Sequence, residues 1–226
     1  VSTKRQERRN EIARAAVAPL SEQGYRNVRL SDIGESLGMT GAHLLYYFES
    51  KSDLFMSALR MVEQDLRASA YDAFETLPTA RERWDWLLAA GAPMGLHDSG
   101  LLMWLQAWSE AVHDKAVHDL ISELERDWQG LLREVLAYGV ARGELDAETD
   151  VGGFVEGFSA LLDGLTIRVV VGYRPVDKAQ AIAISERYAA SQLHWRTAAP
   201  DAAAPDAAAP DAAAEPQTDE TNGDDA

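Results

Sequence analysis

The chain has 226 residues, 46% of them hydrophobic, so it is long enough to bury a core in one large domain or two modest ones. It has no cysteine, which excludes disulfide stapling, thiol catalysis and thiolate metal ligation and suits a reducing compartment. The formal net charge of -16 argues against a nucleic-acid partner for the chain taken whole, yet residues 1–30 hold seven Lys/Arg against three Glu, whereas residues 200–226 hold eight acids and no base.

In chain order, VSTKRQERRNEIARAAV is basic but has no apolar run behind it, so it does not read as a secretion signal. Ile12, Ala16 and Leu20 recur at helical spacing and predict a first helix closed by Gly24. Between Val28 and Phe55 the elements become short. Ile33 and Leu37 lie one turn apart, Gly38-Met39-Thr40 interrupts, and Leu44 and Phe48 resume the pattern. Ser31 and Thr40 are the candidate N-caps of the two short helices, which makes the segment a helix-turn-helix. On the second of them, 100° per residue places His43, Tyr46 and Tyr47 on one arc beside the Leu44 and Phe48 face that must be buried. A polar, aromatic arc suits contact with phosphates and base edges; packing aromatics are the alternative reading.

A further helix follows through Leu54, Ala58, Met61 and Val62, and later ones are predicted near 79–94, 99–113, 115–142, 148–172 and 176–197. Pro78, Asp98-Ser99-Gly100, Gly143 and Gly172 to Pro175 punctuate them. No segment alternates with period two, so the expected fold is all-α, with about nine helices. The longest apolar stretch, LLAAGAPMGL at 87–96, is about half a membrane span, and a soluble cytoplasmic protein without a membrane partner is the expectation. From residue 198, PDAAA repeats with a proline every fifth residue and runs into EPQTDETNGDDA, which predicts a disordered acidic tail. Such a tail is either a solubilising appendage or an acidic arm that competes with DNA for the basic end.

The block GYRNVRLSDIGESLGMTGAHLLYYFESKSDLF, residues 24–55, resembles the DNA-binding domain of TetR-family repressors. The matching features are the Gly-Tyr that ends the first helix, Asp-Ile on the second, Gly38 in the turn, Tyr46-Tyr47-Phe48, and Ser-Lys-x-x-Leu at 50–54. The resemblance implies a three-helix helix-turn-helix domain over residues 1–50, and a helical ligand-binding and dimerisation domain of about six helices over 51–197. His43, Tyr46 and Tyr47 would then lie in the major groove, and Lys51 would meet a phosphate at a helix start. Thr40 and Ser31 would donate to the DNA backbone, and Lys4, Arg5, Arg8 and Arg9 would supply a flexible basic arm. Arg29 reads equally as a phosphate contact or a solvated charge. Leu45 stands where the family commonly has a tyrosine, and Gly41 and Ala42 where longer polar residues are frequent, so backbone or shape readout gains weight.

Around residues 99–142, GLLMWLQAWSEAVHD and LERDWQGLLREVLAYGVARGELD, with ALLDGL at 160–165, resemble the ligand-binding half of the BetI-like branch of that family. There the last two helices pair with their twofold mates. Independently, GFSALLDGLTIRVVVG at 157–172 is apolar on nearly every side, and a homodimer would supply its second cover. Trp104 and Trp108 lie one turn apart, and the resemblance implies that Trp128 and Phe158, from other helices, join them as candidate walls of an effector pocket for an apolar or cationic small molecule; plain core is the alternative. Asp163 is the cation partner on offer, but helix angles put it opposite Phe158, which favours an interface or structural carboxylate over a pocket acid.

Enzyme readings find no support. Glu110-x-x-His113 lacks the second Glu-x-x-His that a di-iron bundle needs, the remaining histidines have no metal-ligand spacing, and no phosphate loop or nucleophile elbow is present. No cofactor and no metal are expected. The reading is therefore a ligand-responsive regulator on a double-stranded, near-palindromic operator; a helical protein-interaction module without DNA binding is the competing class.

Overall fold

The computed structural model describes residues 3–173 and 176–196, and the acidic stretch from residue 198 lies outside the described residues. Among the described residues the chain forms nine helices and no strand. These are α1 (Thr3–Gln23), α2 (Leu30–Ser36), α3 (Gly41–Tyr47), α4 (Lys51–Phe74), α5 (Ala80–Gly91), α6 (Ser99–Ala111), α7 (Lys115–Ala141), α8 (Val151–Val171) and α9 (Lys178–Gln192).

Side-chain caps set most of the starts. Thr40 accepts from the backbone N–H of His43, Ser50 from Asp53, Thr79 from Glu82, Asp98 from Leu101, Asp150 from Gly153 and Asp177 from Gln180. α5 stops at Gly91, short of the predicted 94, because Ala92 precedes Pro93 and takes extended backbone. α8 ends on Gly172, whose φ of 71° is left-handed.

Two expectations need correction. Ser31 does not cap α2: Arg29 holds that position in extended backbone, and the Asp32 carboxylate accepts the Arg29 N–H at 3.3 Å. The helix starts two residues earlier than an N-cap at Ser31 would set it, and Leu30 packs against the core along with Ile33. Residues 4–9 are not a free arm either. α1 is helical from Thr3, the Arg5 guanidinium donates to the Tyr46 carbonyl at 3.0 Å, and the Arg9 guanidinium donates to the Tyr47 carbonyl at 3.2 Å and to Asp53 at 2.5 Å.

α2 and α3 cross backbone to backbone, and glycine makes this possible at both. A Cβ on Gly34 would stand 2.7 Å from the Met39 carbonyl oxygen, and one on Gly41 would stand 3.2 Å from the Ser31 nitrogen. The turn between them passes through Gly38 at φ 65°.

The apolar residues divide into two buried clusters. The first gathers Ile12, Ala16 and Leu20 of α1 with Ile33, Leu44, Phe48, Leu54 and Phe55, and it also holds Met103, Ala107, Val117 and Leu120 from α6 and α7. The break expected between residues 50 and 51 coincides with the cap of α4, but this core runs straight across it. The second cluster packs the end of α4 against α5, α7, α8 and α9 around Trp84, Phe154 and Phe158. Along α8 the exposed positions Glu156, Ala160, Gly164, Ile167 and Val171 form one stripe, so the helix is covered on three sides and bare on the fourth. No helix of the described residues is long and apolar enough to cross a membrane.

Candidate functional site

Two regions carry chemistry, and the first is the head. Leu44 and Phe48 are fully buried, which turns the other arc of α3 outward. Ala42 and His43 are exposed, and so are Leu45 (52%) and Tyr46 (62%). Tyr47 is half-buried and packs on the first core, so packing and outward presentation share that side chain. The His43 and Tyr47 rings are 5.7 Å apart, and Tyr46 meets Tyr47 edge-on at 4.9 Å, giving one aromatic surface. Arg29, Ser31 and Thr40 are exposed at the starts of α2 and α3, while Gly41 is half-buried at the helix crossing.

Lys51 departs from expectation. Its ammonium turns inward and donates to the carbonyl oxygens of Tyr25 (2.7 Å), Val28 (3.1 Å) and Arg26 (3.4 Å), over the Tyr25 ring at 4.8 Å. All its donors are occupied in tying α4 to the segment before α2, which is a reason not to place it on a phosphate. Arg5 and Arg9, expected in a flexible arm, instead grip the carboxyl end of α3 through the Tyr46 and Tyr47 carbonyls; Arg9 also covers the Phe48 ring at 4.9 Å.

The second region is a cavity of about 210 Å³ enclosed by α4, α5, α6, α7 and α8. Trp104, Trp108 and Trp128 line it, with the first two rings 5.8 Å apart. Gly91 leaves room for Trp128, whose Cη2 lies 3.1 Å from where a Cβ would stand. Phe158 is not part of this wall. It is buried in the second core between Trp84 and Phe154, at 4.8 and 5.4 Å, because its side of α8 faces α5. The helix-angle argument that set Asp163 opposite Phe158 was therefore sound, but the cavity lies on the Asp163 side, with Leu162 and Thr166.

Four acids line the cavity, Glu63, Asp98, Glu125 and Asp163, and among the described residues no Lys, Arg or His does. Asp98 is occupied in capping, accepting from Leu101 and Met94. Glu125 accepts from the Gln129 amide at 3.0 Å, and Glu63 accepts from the Trp104 indole. Burial raises the Glu63 carboxyl above its ordinary range, against the indole hydrogen bond, and Glu125 and Asp127 push the same way as burial. Burial, with Glu125 adding to it, pushes Asp163 up to about 6. A site with acids, indole faces and no base is complementary to an organic cation. The signal for Glu63 was present in the sequence: it sits on the stripe of Leu59, Leu66 and Ala70, where an acid is out of place.

The two regions are joined by hydrogen bonds from α6. The Gln106 side chain accepts the Tyr25 N–H at 2.5 Å, and Glu110 pairs with Arg26 at 2.6 Å. A smaller cavity of about 140 Å³ adjoins the first across Glu63, Leu66 and Trp128; Arg60 and Arg67 line it and pair with Glu123 and Asp127 of α7. Among the described residues no group of acids and histidines is arranged to hold a metal ion.

Comparison with known proteins covers both halves. Residues 12–58 match the family described as bacterial regulatory proteins, tetR family, and residues 80–194, about half the chain, match the BetI-type transcriptional repressor, C-terminal family. The HTH-type transcriptional regulator BetI of Rhizobium meliloti (strain 1021) is 28% identical over 187 residues, 82% of this chain and 89% of that protein. BetI of Agrobacterium fabrum (strain C58) is 29% identical, over 82% of this chain and 88% of its own length. A putative transcriptional regulator from Saccharomonospora viridis, solved in complex with choline, superposes with a TM-score of 0.74 at 27% identity, covering 84% of this chain and all of the other. A cysteine mutant of the TetR family regulator CifR, complexed with 26-bp double-strand operator DNA, superposes at 0.67 with 25% identity, over 82% of this chain and 95% of the other.

Proposed function

We propose, from the premise that this chain belongs to the TetR family of bacterial regulatory proteins and carries a BetI-type repressor body, that it is a homodimeric repressor released from a near-palindromic operator by a small organic cation. It is a transcriptional regulator by family, and that family does not consist of enzymes. The observation that carries the proposal is the outward arc of α3, where His43 and Tyr46 stand free while Leu44 and Phe48 anchor the helix from behind.

On this reading, α3 enters the major groove. Thr40, His43, Tyr46 and Tyr47 supply neutral contacts to phosphates and base edges, with Arg29 and Ser31 at the start of α2 and the backbone of Gly41 and Ala42 approaching the duplex. The bare stripe of α8, together with the exposed Ala183, Arg187 and Ala190 of α9, pairs with a second copy, and twofold symmetry then sets two half-sites about one helical turn or a multiple apart. The small residues of the stripe, Ala160 and Gly164, suit a close helix approach.

The effector occupies the indole-lined cavity, and the choline held by the Saccharomonospora viridis protein supports a cation there. A cation drawn between Trp104 on α6 and Glu63 on α4 biases how these two helices sit against each other. Both helices also reach the head, α6 through Gln106 and Glu110, and α4 through Lys51. A ligand that favours one arrangement changes the spacing of the reading heads and lowers DNA affinity by its differential binding to the two states.

The test is fluorescence anisotropy on the DNA flanking its own gene. The full chain should bind one fragment with sequence-specific, salt-sensitive affinity, and His43→Ala with Tyr47→Phe should weaken binding at least tenfold while sedimentation still reports a dimer. Undiminished affinity in that variant would remove α3 from the interface.

A further inference from the structure

Glu63 of α4, Glu125 of α7 and Asp163 of α8 line one cavity that no basic residue lines among the described residues. Two of the three have a donor: Trp104 serves Glu63, and Gln129 serves Glu125. Asp163 has no hydrogen-bond partner among the described residues, although it is half-buried. The groups around it are all of one sign or neutral. α4 presents Glu63, α7 presents Glu125, the segment before α6 presents Asp98, and α6 presents only indoles and aliphatics. Arg60 and Arg67 line the adjoining cavity in pairs with Glu123 and Asp127, and Lys178 of α9 donates to the Met94 sulfur. His97, beside Asp98, and Arg168, further along α8, are exposed.

Carboxylates that share a half-dry cavity without a counter-charge are destabilised in their ionised form by lost hydration and by one another. Two species can relieve them: a proton held on the acid, or a cation in the cavity. The indole walls make room for the second. We propose that the cavity takes its organic cation in exchange for a proton, and that Asp163 is the group that gives the proton up. The proposal rests on the reading of this cavity as the effector site and adds how that site is regulated. In the exchange the carboxyl O–H of Asp163 ionises, the proton leaves to water or buffer, and the carboxylate left behind faces the incoming onium group. Total charge in the cavity is unchanged by the swap.

The consequence is that effector and acid oppose each other. Above pH 7 Asp163 is already ionised, and the cation binds at its full affinity. As pH falls through about 6, the value to which burial and Glu125 push Asp163, each cation must displace a proton, and affinity drops. For complete linkage the loss is about twofold at pH 6 and about tenfold at pH 5. The repressor is thereby less readily released in an acidified cell at the same effector concentration.

The experiment is isothermal calorimetry of the full chain with choline chloride, whose charge does not titrate, from pH 5 to pH 7.5. Repeating the pH 6 titration in two buffers of different ionisation heat counts the protons released. We expect about tenfold weaker binding at pH 5 than at 7.5, and about half a proton released per choline at pH 6. D163N should bind choline more weakly at pH 7.5 and lose the pH dependence, with circular dichroism as the check on folding. Affinity that is flat with pH, or no proton release from the wild-type chain, overturns the exchange while leaving the effector site standing. A pH slope that persists in D163N overturns Asp163 as the proton donor and points to Glu63, the other cavity carboxyl raised by burial. No choline binding at any pH overturns the exchange together with the reading on which it rests.

Discussion

Lys51 separates two accounts of the head, and replacing it with methionine decides between them. Methionine keeps the length and apolar body of the stem and removes only the ammonium. In the structure that ammonium satisfies the Tyr25 and Val28 carbonyls at 2.7 and 3.1 Å and sits 4.8 Å from the Tyr25 ring. A hydrogen bond from a charged donor contributes about 1.5–3 kcal/mol and a cation over an aromatic ring about 0.5–1 kcal/mol. The site is half-buried, so water recovers part of this, and a loss of roughly 2–3 kcal/mol remains. For a chain of this size that lowers the melting temperature by about 4–12 °C. The assay pairs a thermal melt with the salt dependence of operator binding. If Lys51 ties α4 to the residues before α2, stability falls while the slope of log K against log salt keeps its value. If it neutralises a phosphate in each protomer, the slope becomes shallower by about 1.8 and the melt stays where it is. The second pattern would refute the inward assignment.

Two further outcomes follow from buried or half-buried acids. Glu144 is 2% exposed, and its carboxylate accepts the Ala80 N–H at 2.7 Å and the Arg142 guanidinium at 2.7 Å, capping α5 from the far end of α7. Glu144→Ala leaves the Ala80 N–H without its carboxylate and removes the Arg142 ion pair, and should destabilise the fold by about 3 kcal/mol in urea denaturation; a change under ~1 kcal/mol would show that the pair is dispensable. Asp163 works in the opposite sense. Its folded-state value, about 6, lies above the ordinary 3.8, so the folded protein holds the proton more tightly than the unfolded chain, and the stability this gives is lost as pH rises from about 4 to 6. D163N should therefore stabilise the ligand-free protein at pH 7 by roughly 1 kcal/mol after allowing for solvent screening, and by almost nothing at pH 4. A destabilised D163N at pH 7 would mean that the carboxylate has a partner.

The parts legible in the sequence are those written in local rules. Spacing of three and four residues, glycine stops and Asp, Ser or Thr caps located the helices to within a few residues, because each of those signals acts on its own turn of chain. The reading of α3 followed the same logic: once Leu44 and Phe48 are committed to the core, 100° per residue leaves His43 and Tyr46 outside. What escaped depended on distant partners. Lys51 faces carbonyls more than twenty residues earlier in the chain, which nothing in Ser-Lys-x-x-Leu announces. The resemblance puts Phe158 and Trp104 on one wall, yet the side of α8 that meets α5 and the side that meets the cavity are opposite faces of the helix.

The charge of the head also changes meaning once partners are known. Among the seven bases of the first thirty residues, Arg8, Arg9, Arg14 and Arg26 are paired with Glu11, Asp53, Asp65 and Glu110, and Lys51 faces inward just beyond them. Arg5 lies over the Tyr46 ring at 5.2 Å while donating to the Tyr46 carbonyl, so its charge stays next to α3. Of the seven, only Lys4, Arg5 and Arg29 have no carboxylate partner among the described residues. On the proposed reading, two protomers then offer few full charges to the phosphates, and the -16 of the chain works against them. Recognition must draw correspondingly more on the neutral donors and rings of Thr40, His43, Tyr46 and Tyr47. Those groups bind only where they fit, so a weakly charged head loses more affinity on the wrong sequence than a strongly charged one does. Two of these pairs connect α1 to α4 and a third connects the segment after α1 to α6, so the same side chains that thin the electrostatic grip fix the head to helices that line the cavity.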